Sequence, residues 1–178
     1  LYKEEHGGKN IHVFNSRSAS VGETLIALKI HECEEAGMSF EEVVSAVERY
    51  IEGQHTYFVL ENLDTLRKNG RLTGIKSIVA SALNIKPVMG STPKGTICQL
   101  GQARGVKRAL VKMADCIKRD AVDPAGKILA IAHCNCPERA GEVKDLLLER
   151  LKVKSSFIVD TAGISTMYAN DGGIIVVL

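Results

Sequence analysis

The chain contains no tryptophan, and aromatic residues make up only 4% of its 178 residues. Its core must therefore be mainly aliphatic, and few rings are available to stack on nucleic acid bases. The formal net charge is only +2, whereas a dedicated nucleic acid-binding domain usually carries a concentrated basic face. Composition therefore argues against a role in nucleic acid recognition.

Long apolar runs are also absent, since no stretch approaches the roughly 18 apolar residues that a membrane-spanning helix needs. The cysteines are odd in number and irregularly spaced, so a disulfide framework is not expected. Reduced thiols fit a cytoplasmic protein better than a secreted one. The five cysteines are Cys33, Cys98, Cys116, Cys134 and Cys136.

No motif in the sequence is typical of a nucleotide or catalytic metal site. A phosphate-binding loop, a GxGxxG loop, a nucleophile elbow and a zincin motif are all missing. The run His133 to Cys136 contains three residues that commonly bind metals, namely His133, Cys134 and Cys136. A closed zinc site needs four ligands, however, and no second pair has suitable spacing. We therefore expect no cofactor and no metal, with Cys136 at a helix cap before Pro137.

Hydrophobic patterning predicts strands that alternate with helices, which indicates an α/β fold with a substantially parallel sheet. A capping box at Ser39 and Glu42 predicts the start of one helix, and Asn69-Gly70 predicts the end of another. The predicted strands are 11–14, 56–60, 85–89 with a hairpin return through 96–98, 127–132, 155–159 and 173–178. The predicted helices are 22–36, 40–51, 63–68, 75–83, 104–119 and 137–151.

Three loops carry residues that suit a binding site, although each also has a simpler interpretation. The loop Asn69 to Gly74 combines two glycines with Arg71, which could bind a carboxylate or phosphate. On local chemistry alone, a turn between helices with an exposed arginine is the favoured interpretation, because glycines are common in turns. The segment Gln102 to Arg108 places three positive charges at a predicted helix start, where they oppose the helix dipole. This favours anion or partner docking as much as a solvated surface. The segment Tyr168 to Gly173 is a turn that could line a pocket mouth.

Taken together, these segments resemble the DegV family in their order and spacing over nearly the whole chain. The matching segments are Asn15-Ser16 with Ser20 and Gly22, Asn62 to Leu72, Leu83 to Pro87, Arg104 to Ala109, and Tyr168 to Gly173. Each is weak alone, but the ordered set is specific.

The resemblance implies a two-lobed α/β fold (the EDD fold) with a mixed or parallel sheet flanked by helices. It implies that residues 1–20 are the tail of the N-terminal lobe and that 21–178 form the C-terminal lipid-binding lobe. It also implies an apolar cavity for one long-chain fatty acid, whose carboxyl group is presented to a partner fatty acid kinase. The protein itself would then be a lipid-binding subunit rather than an enzyme.

Residue by residue, the resemblance implies one set of positions for lipid binding and another for partner docking. The lipid-binding candidates are Ser20, Arg71, Thr73, Ile75, Ile78, Leu83, Ile85 and Tyr168. The docking candidates are Arg104, Lys107 and Arg108. The alternative is a small-polyol-binding enzyme subunit of the dihydroxyacetone-kinase type, which would attach its substrate covalently through a histidine.

Overall fold

The computed structural model describes residues 2–73 and 84–178. The helix predicted over 75–83 lies outside the described residues. In chain order the elements are α1 (Tyr2–Glu5), α2 (Val21–Glu35), α3 (Phe40–Glu52), β1 (Thr56–Val59), α4 (Asp64–Lys68), β2 (Ile85–Ser91), β3 (Ile97–Arg104), α5 (Val106–Asp120), β4 (Ile128–His133), α6 (Pro137–Leu148), β5 (Ser155–Asp160), α7 (Gly163–Ala169) and β6 (Ile174–Val177).

Six strands form one mixed sheet in the order β3-β2-β1-β6-β4-β5. The expectation of an α/β fold with helices around a mixed sheet is confirmed, but the emphasis on parallel pairing is wrong. Among the described strands, only β4 and β5 run parallel, joined through α6. The β2–β3 hairpin is antiparallel, and β6 inserts antiparallel between β1 and β4. A tight hairpin can join only antiparallel neighbours, so the Thr92 to Thr96 turn dictates that pairing.

The two faces of the sheet carry different parts of the core, as the alternation of side chains along a strand requires. Tyr57 and Val59 of β1 join the main core with α5 and α6. Phe58 and Leu60 point to the opposite face and pack in a smaller cluster with residues of α4 and α7. On that second face, α2 also packs against β4 and β6. The second face therefore holds three helices around a small apolar cluster.

Local helix-end signals are confirmed in detail. At the start of α3, the Ser39 side chain accepts from the Glu42 amide, and the Glu42 carboxylate accepts from the Ser39 amide at 2.8 Å. At the end of α4, the Gly70 amide donates to Arg67 O and the Arg71 amide donates to Leu66 O. This Schellman pair requires a left-handed residue, which Gly70 supplies at φ 69°.

The strand predicted over Ile11 to Phe14 is wrong. These residues form no regular secondary structure, and Val13 is 85% exposed. No described strand lies beside the segment to take its backbone hydrogen bonds, which an isolated strand cannot satisfy alone. Phe14 instead packs against the α2–α3 cluster, and the His12 ring contacts Phe14 and lies 3.2 Å from Glu48.

One further difference concerns α7, which was not predicted. Residues 163–167 were assigned to no element, and 168–173 were interpreted as a turn. Within the described part of the chain, no helix is both long and apolar enough to cross a membrane.

Candidate functional site

A cavity of about 650 Å³ opens on the face of the sheet that carries α2, α4 and α7. This volume falls inside the range of roughly 300–1,000 Å³ that is typical of small-molecule sites. Thr56 and Phe58 of β1 and Leu60 just after it form part of its wall. Residues from β2, β3, β6 and α7, from the segment before α2, and from α4 and the loop after it also line the cavity.

Hydroxyl groups gather where β1 begins and β2 ends. The Ser18 and Thr56 hydroxyl oxygens lie 2.6 Å apart, and the Thr56 amide donates to the Ser91 hydroxyl at 3.2 Å. Ser20 and Thr96 also line this part of the cavity. Thr56 is only 8% exposed, so its hydroxyl depends on these protein partners for hydrogen bonding.

The segment before α2 adopts a strained backbone that places these hydroxyls. Arg17 and Ser20 both have positive φ, 49° and 58°. Non-glycine residues in this region cost about 1–3 kcal/mol and cluster at functional sites. The Arg17 guanidinium donates to Pro93 O at 3.3 Å, which ties the segment to the β2–β3 turn. Ser20 precedes α2 without a side-chain cap, and its hydroxyl has no partner within residues 2–73 and 84–178.

Gly22 is needed for the close approach of Ser18. A Cβ atom on Gly22 would lie 2.0 Å from the Ser18 hydroxyl oxygen. The first turn of α2 can therefore sit directly against the hydroxyl cluster only because residue 22 lacks a side chain.

A large part of the remaining cavity wall is apolar. Beyond Thr56, the cavity is lined by side chains that belong to or pack on the second-face cluster. They are Phe58, Leu60, Leu66, Ile97, Tyr168, Ala169 and Ile175. Ile164 of α7, which is 72% exposed, also lines the cavity.

The loop after α4 brings Arg71 and Thr73 to the same cavity. The Schellman pair fixes the backbone of Arg71, and the Thr73 hydroxyl donates to Gly70 O. Arg71 and Thr73 are both exposed. A guanidinium at the cavity lining can pair with a carboxylate through two parallel hydrogen bonds.

The structure brings together four of the eight residues predicted for lipid binding. Ser20, Arg71, Thr73 and Tyr168 line the cavity. Ile85 begins β2 opposite Arg104 and is not among the residues that line it. Ile75, Ile78 and Leu83 lie outside the described residues. The sequence reasoning did not single out Ser18, Thr56 or Ser91, although Ser18 falls within a stretch recognised as rich in hydroxyl side chains.

The three predicted docking residues form an exposed basic surface at the β3–α5 junction. The expectation that all three lie in a helix is wrong for Arg104, which is the last residue of β3. Gly105 separates strand from helix at φ 79°, and its amide still donates to Asn84 O across the hairpin. Lys107 and Arg108 lie in the first turn of α5, and this first turn contains no acidic residue.

The described residues contain no group of three or more His, Cys, Asp and Glu side chains that could hold a metal ion. His133 is 4% exposed, and its Nδ1 accepts from the Cys136 amide at 3.3 Å. Burial raises the pKa of the Cys136 thiol, which opposes its use as a nucleophile or ligand. The described cavity lining offers hydroxyl, guanidinium and apolar groups, which suit the binding of a ligand.

The family model of DegV proteins matches residues 1–177 of the chain. The chain belongs to the DegV family. A DegV domain-containing protein of Streptococcus gordonii is 33% identical over 175 residues, which are 98% of this chain and 62% of that protein. The chain thus spans about 62% of the length of the curated DegV relatives that it matches.

Solved DegV structures share the fold closely. A DegV family protein from Ruminococcus gnavus, described with vaccenic acid, is 77% identical with a TM-score of 0.95, covering 99% of this chain and 63% of that one. The Streptococcus pneumoniae Fatty Acid Kinase (Fak) B3 protein, loaded with linoleic acid, is 32% identical with a TM-score of 0.87, covering 99% and 62%. Bound fatty acids thus recur among the DegV proteins similar to this chain.

Proposed function

We propose that the full-length protein binds one long-chain fatty acid in this cavity and presents the carboxyl group to a partner fatty acid kinase. The observation that carries the proposal is the change from polar to apolar lining along β1 and the residue after it. Thr56 and Phe58 of β1 are followed on the same face by Leu60. These three positions span about 13 Å at roughly 3.3 Å per residue. An amphiphile with a polar head and an aliphatic chain is complementary to such a wall.

The proposed binding residues divide between the two ends of the ligand. Ser20, with a hydroxyl that lacks a partner among the described residues, and Arg71 would hold the carboxylate by hydrogen bonds and charge. Thr73 and Tyr168 would border the ligand from the loop and from α7. Ile75, Ile78 and Leu83 stay proposed as an aliphatic wall for the chain, whereas Ile85 is not among the residues that line the cavity. Fatty acids bound in the Ruminococcus gnavus and Streptococcus pneumoniae relatives support the proposed class of ligand.

Full-length protein purified from a bacterial host should yield about one long-chain fatty acid per molecule when denatured and extracted. Each buried methylene contributes about 0.8 kcal/mol before the costs of association, so a long acyl chain should survive purification. Mass spectrometry of the extract measures the yield and the chain length. Extracts with no fatty acid, together with no uptake of added fatty acid by delipidated protein, would rule out the proposal.

The proposed partner surface is formed by Arg104, Lys107 and Arg108. All three side chains are exposed, and no ion pair joins them to a described acidic residue. Unpaired cations in the first turn of α5 oppose the helix dipole, so an acidic partner surface would stabilise them. The protein would act as the lipid-presenting subunit in the cytoplasm, while the kinase would hold ATP.

The double variant Arg104→Glu/Lys107→Glu should lower the rate at which the kinase phosphorylates the bound fatty acid by about tenfold, because charge complementarity accelerates association. The matched control is Lys118→Glu/Lys152→Glu, which makes the same change in charge at exposed positions elsewhere. Kinase assays at low and moderate salt measure the effect, and fatty acid binding should not change in either variant. Equal rates for the two double variants would contradict this docking surface.

The alternative of a polyol-binding enzyme subunit finds no specific support. It requires a histidine that attaches the substrate, and none of the five histidines is among the residues lining the cavity.

A further inference from the structure

Three charged side chains from separate elements meet beside the cavity without lining it. Lys86 Nζ lies 2.8 Å from Glu61 Oε2, and Arg139 Nη1 lies 3.0 Å from Glu61 Oε1. Lys86 Nζ also donates to Glu61 O at 2.6 Å. The side chains of Lys86, Arg139 and Glu61 are only 17%, 26% and 34% exposed. This Glu61 cluster is thus shielded more than an ordinary surface ion pair.

The position of Glu61 in the chain connects the cluster to a segment that lines the cavity. Glu61 lies two residues beyond the end of β1 and precedes α4, which carries Leu66 and the Arg71 loop to the cavity. Burial raises the pKa of the Glu61 carboxyl group, but hydrogen bonds and charge from Lys86 and Arg139 outweigh this, so its pKa lies below the ordinary value. The carboxylate is therefore ionised and paired near neutral pH. It anchors one end of the α4 segment to β2 and α6.

Arg139 extends the cluster to the turn that follows α7. Its Nη1 atom donates to Gly172 O as well as pairing with Glu61. Gly172 has φ 78°, and a Cβ there would lie 2.7 Å from Arg139 Nη1 and 3.0 Å from Glu61 Cγ. The turn thus approaches the ion pair as closely as a glycine permits. The same turn is held to the end of β4, because the Gly172 amide donates to Cys134 O at 2.9 Å.

The two segments anchored in this way both contribute to the cavity lining. One carries Leu66 and Arg71, and the other carries Ile164 and Tyr168. Within the described residues, the direct polar link between these segments is a long hydrogen bond of 3.5 Å from the Thr65 hydroxyl to Asn170 Oδ1. The Glu61 cluster supplies the stronger connection, since hydrogen bonds to charged groups exceed neutral ones.

We propose that Glu61 is a positioning residue that fixes α4 relative to α7, through Arg139 and the Gly172 turn, and thereby slows release of the bound acyl chain. This inference rests on the proposed fatty acid binding. Glu61 does not line the cavity, so it acts on the ligand only through the elements that it holds. Release of the acyl chain requires the α4 and α7 walls to separate, and the cluster opposes that separation.

The test is Glu61→Gln in the full-length protein, which removes the charge and keeps the size. We expect dissociation of a fluorescent long-chain fatty acid to accelerate about tenfold, within the usual range of coupling between sites. The matched control is Asp64→Asn, which removes an exposed ion pair with Arg67 on the adjoining α4. Its dissociation rate should stay that of the natural sequence.

A cycle with Arg139→Gln separates positioning from a general loss of stability. If Glu61 acts through Arg139, the double variant Glu61→Gln/Arg139→Gln should release the ligand no faster than either single variant. Melting temperatures measured in parallel identify variants that merely unfold more easily. The inference would be overturned if the Glu61→Gln variant released the fatty acid at a rate within about twofold of the natural sequence. It would also be overturned if the two substitutions had additive effects on the free energy of activation for release. A natural sequence that binds no fatty acid would instead overturn the proposed function and this inference with it.

Discussion

Full-length protein carrying Ile164→Asp should bind a long-chain fatty acid about 30-fold more weakly than the natural sequence. Ile164 lies on α7, lines the cavity, and leaves 72% of its surface exposed. Its side chain therefore contributes little to folding but offers apolar surface to a ligand. Covering that surface with an acyl chain contributes about 2 kcal/mol, and a carboxylate in its place would face hydrocarbon.

Val122→Asp is the matched control, because Val122 is also 72% exposed but does not line the cavity. Titration calorimetry of delipidated protein measures both affinities, and thermal unfolding checks that both variants fold. The control should bind like the natural sequence. Equal affinities for the two variants would place the acyl chain away from α7.

The elements that could be predicted from sequence are those with signals inside their own few residues. The capping box of Ser39 and Glu42 marks the start of α3 because both hydrogen bonds close within four residues. The glycine at residue 70 marks the end of α4 because only a left-handed residue completes the Schellman pair. Pro137 likewise opens α6, where a missing amide hydrogen costs nothing.

The sheet order could not be predicted in this way, because pairing depends on residues far apart in the chain. Thr56 of β1 pairs with Val177 of β6, and the same β6 residue lies opposite Ala130 of β4. Alternation of strands and helices is compatible with either strand direction, so the pattern alone led to too much parallel pairing. The apolar run at Ile11 to Phe14 was misleading for a related reason, since hydrophobicity does not provide a neighbouring strand.

The candidate site likewise contains some residues that local sequence patterns indicate and others that only the fold brings together. Ser20, Arg71, Thr73 and Tyr168 belong to local segments with distinctive composition, and all four line one cavity. The hydroxyl pair of Ser18 and Thr56 joins residues 38 apart in sequence, and no local pattern indicates it. Family resemblance identified the loops, whereas the fold was needed to show which side chains converge.

Gly173→Ala should destabilise the protein by about 2–3 kcal/mol, the usual cost of overpacking a tightly packed site. A Cβ at this position would lie 2.4 Å from Ala169 O and 3.0 Å from Ala169 C. These are backbone atoms at the end of α7, so no side-chain rotation can relieve the contact. Backbone movement is also opposed, because the Gly173 amide donates to Asn170 O at 3.1 Å and Gly173 O accepts from the Cys134 amide at 3.0 Å.

Gly141→Ala provides the matched control for this prediction. Gly141 lies within α6, and a Cβ there meets nothing within 4 Å. Because alanine is favoured over glycine in a helix by up to about 1 kcal/mol, this variant should be slightly more stable than the natural sequence. Urea denaturation of both variants measures the two free energies of unfolding.

Since Ala169 lines the cavity, displacement of its backbone in Gly173→Ala should also weaken fatty acid binding. If the two variants are equally stable, the turn between α7 and β6 can accommodate a Cβ atom at residue 173. The close packing inferred from the 2.4 Å contact would then be wrong.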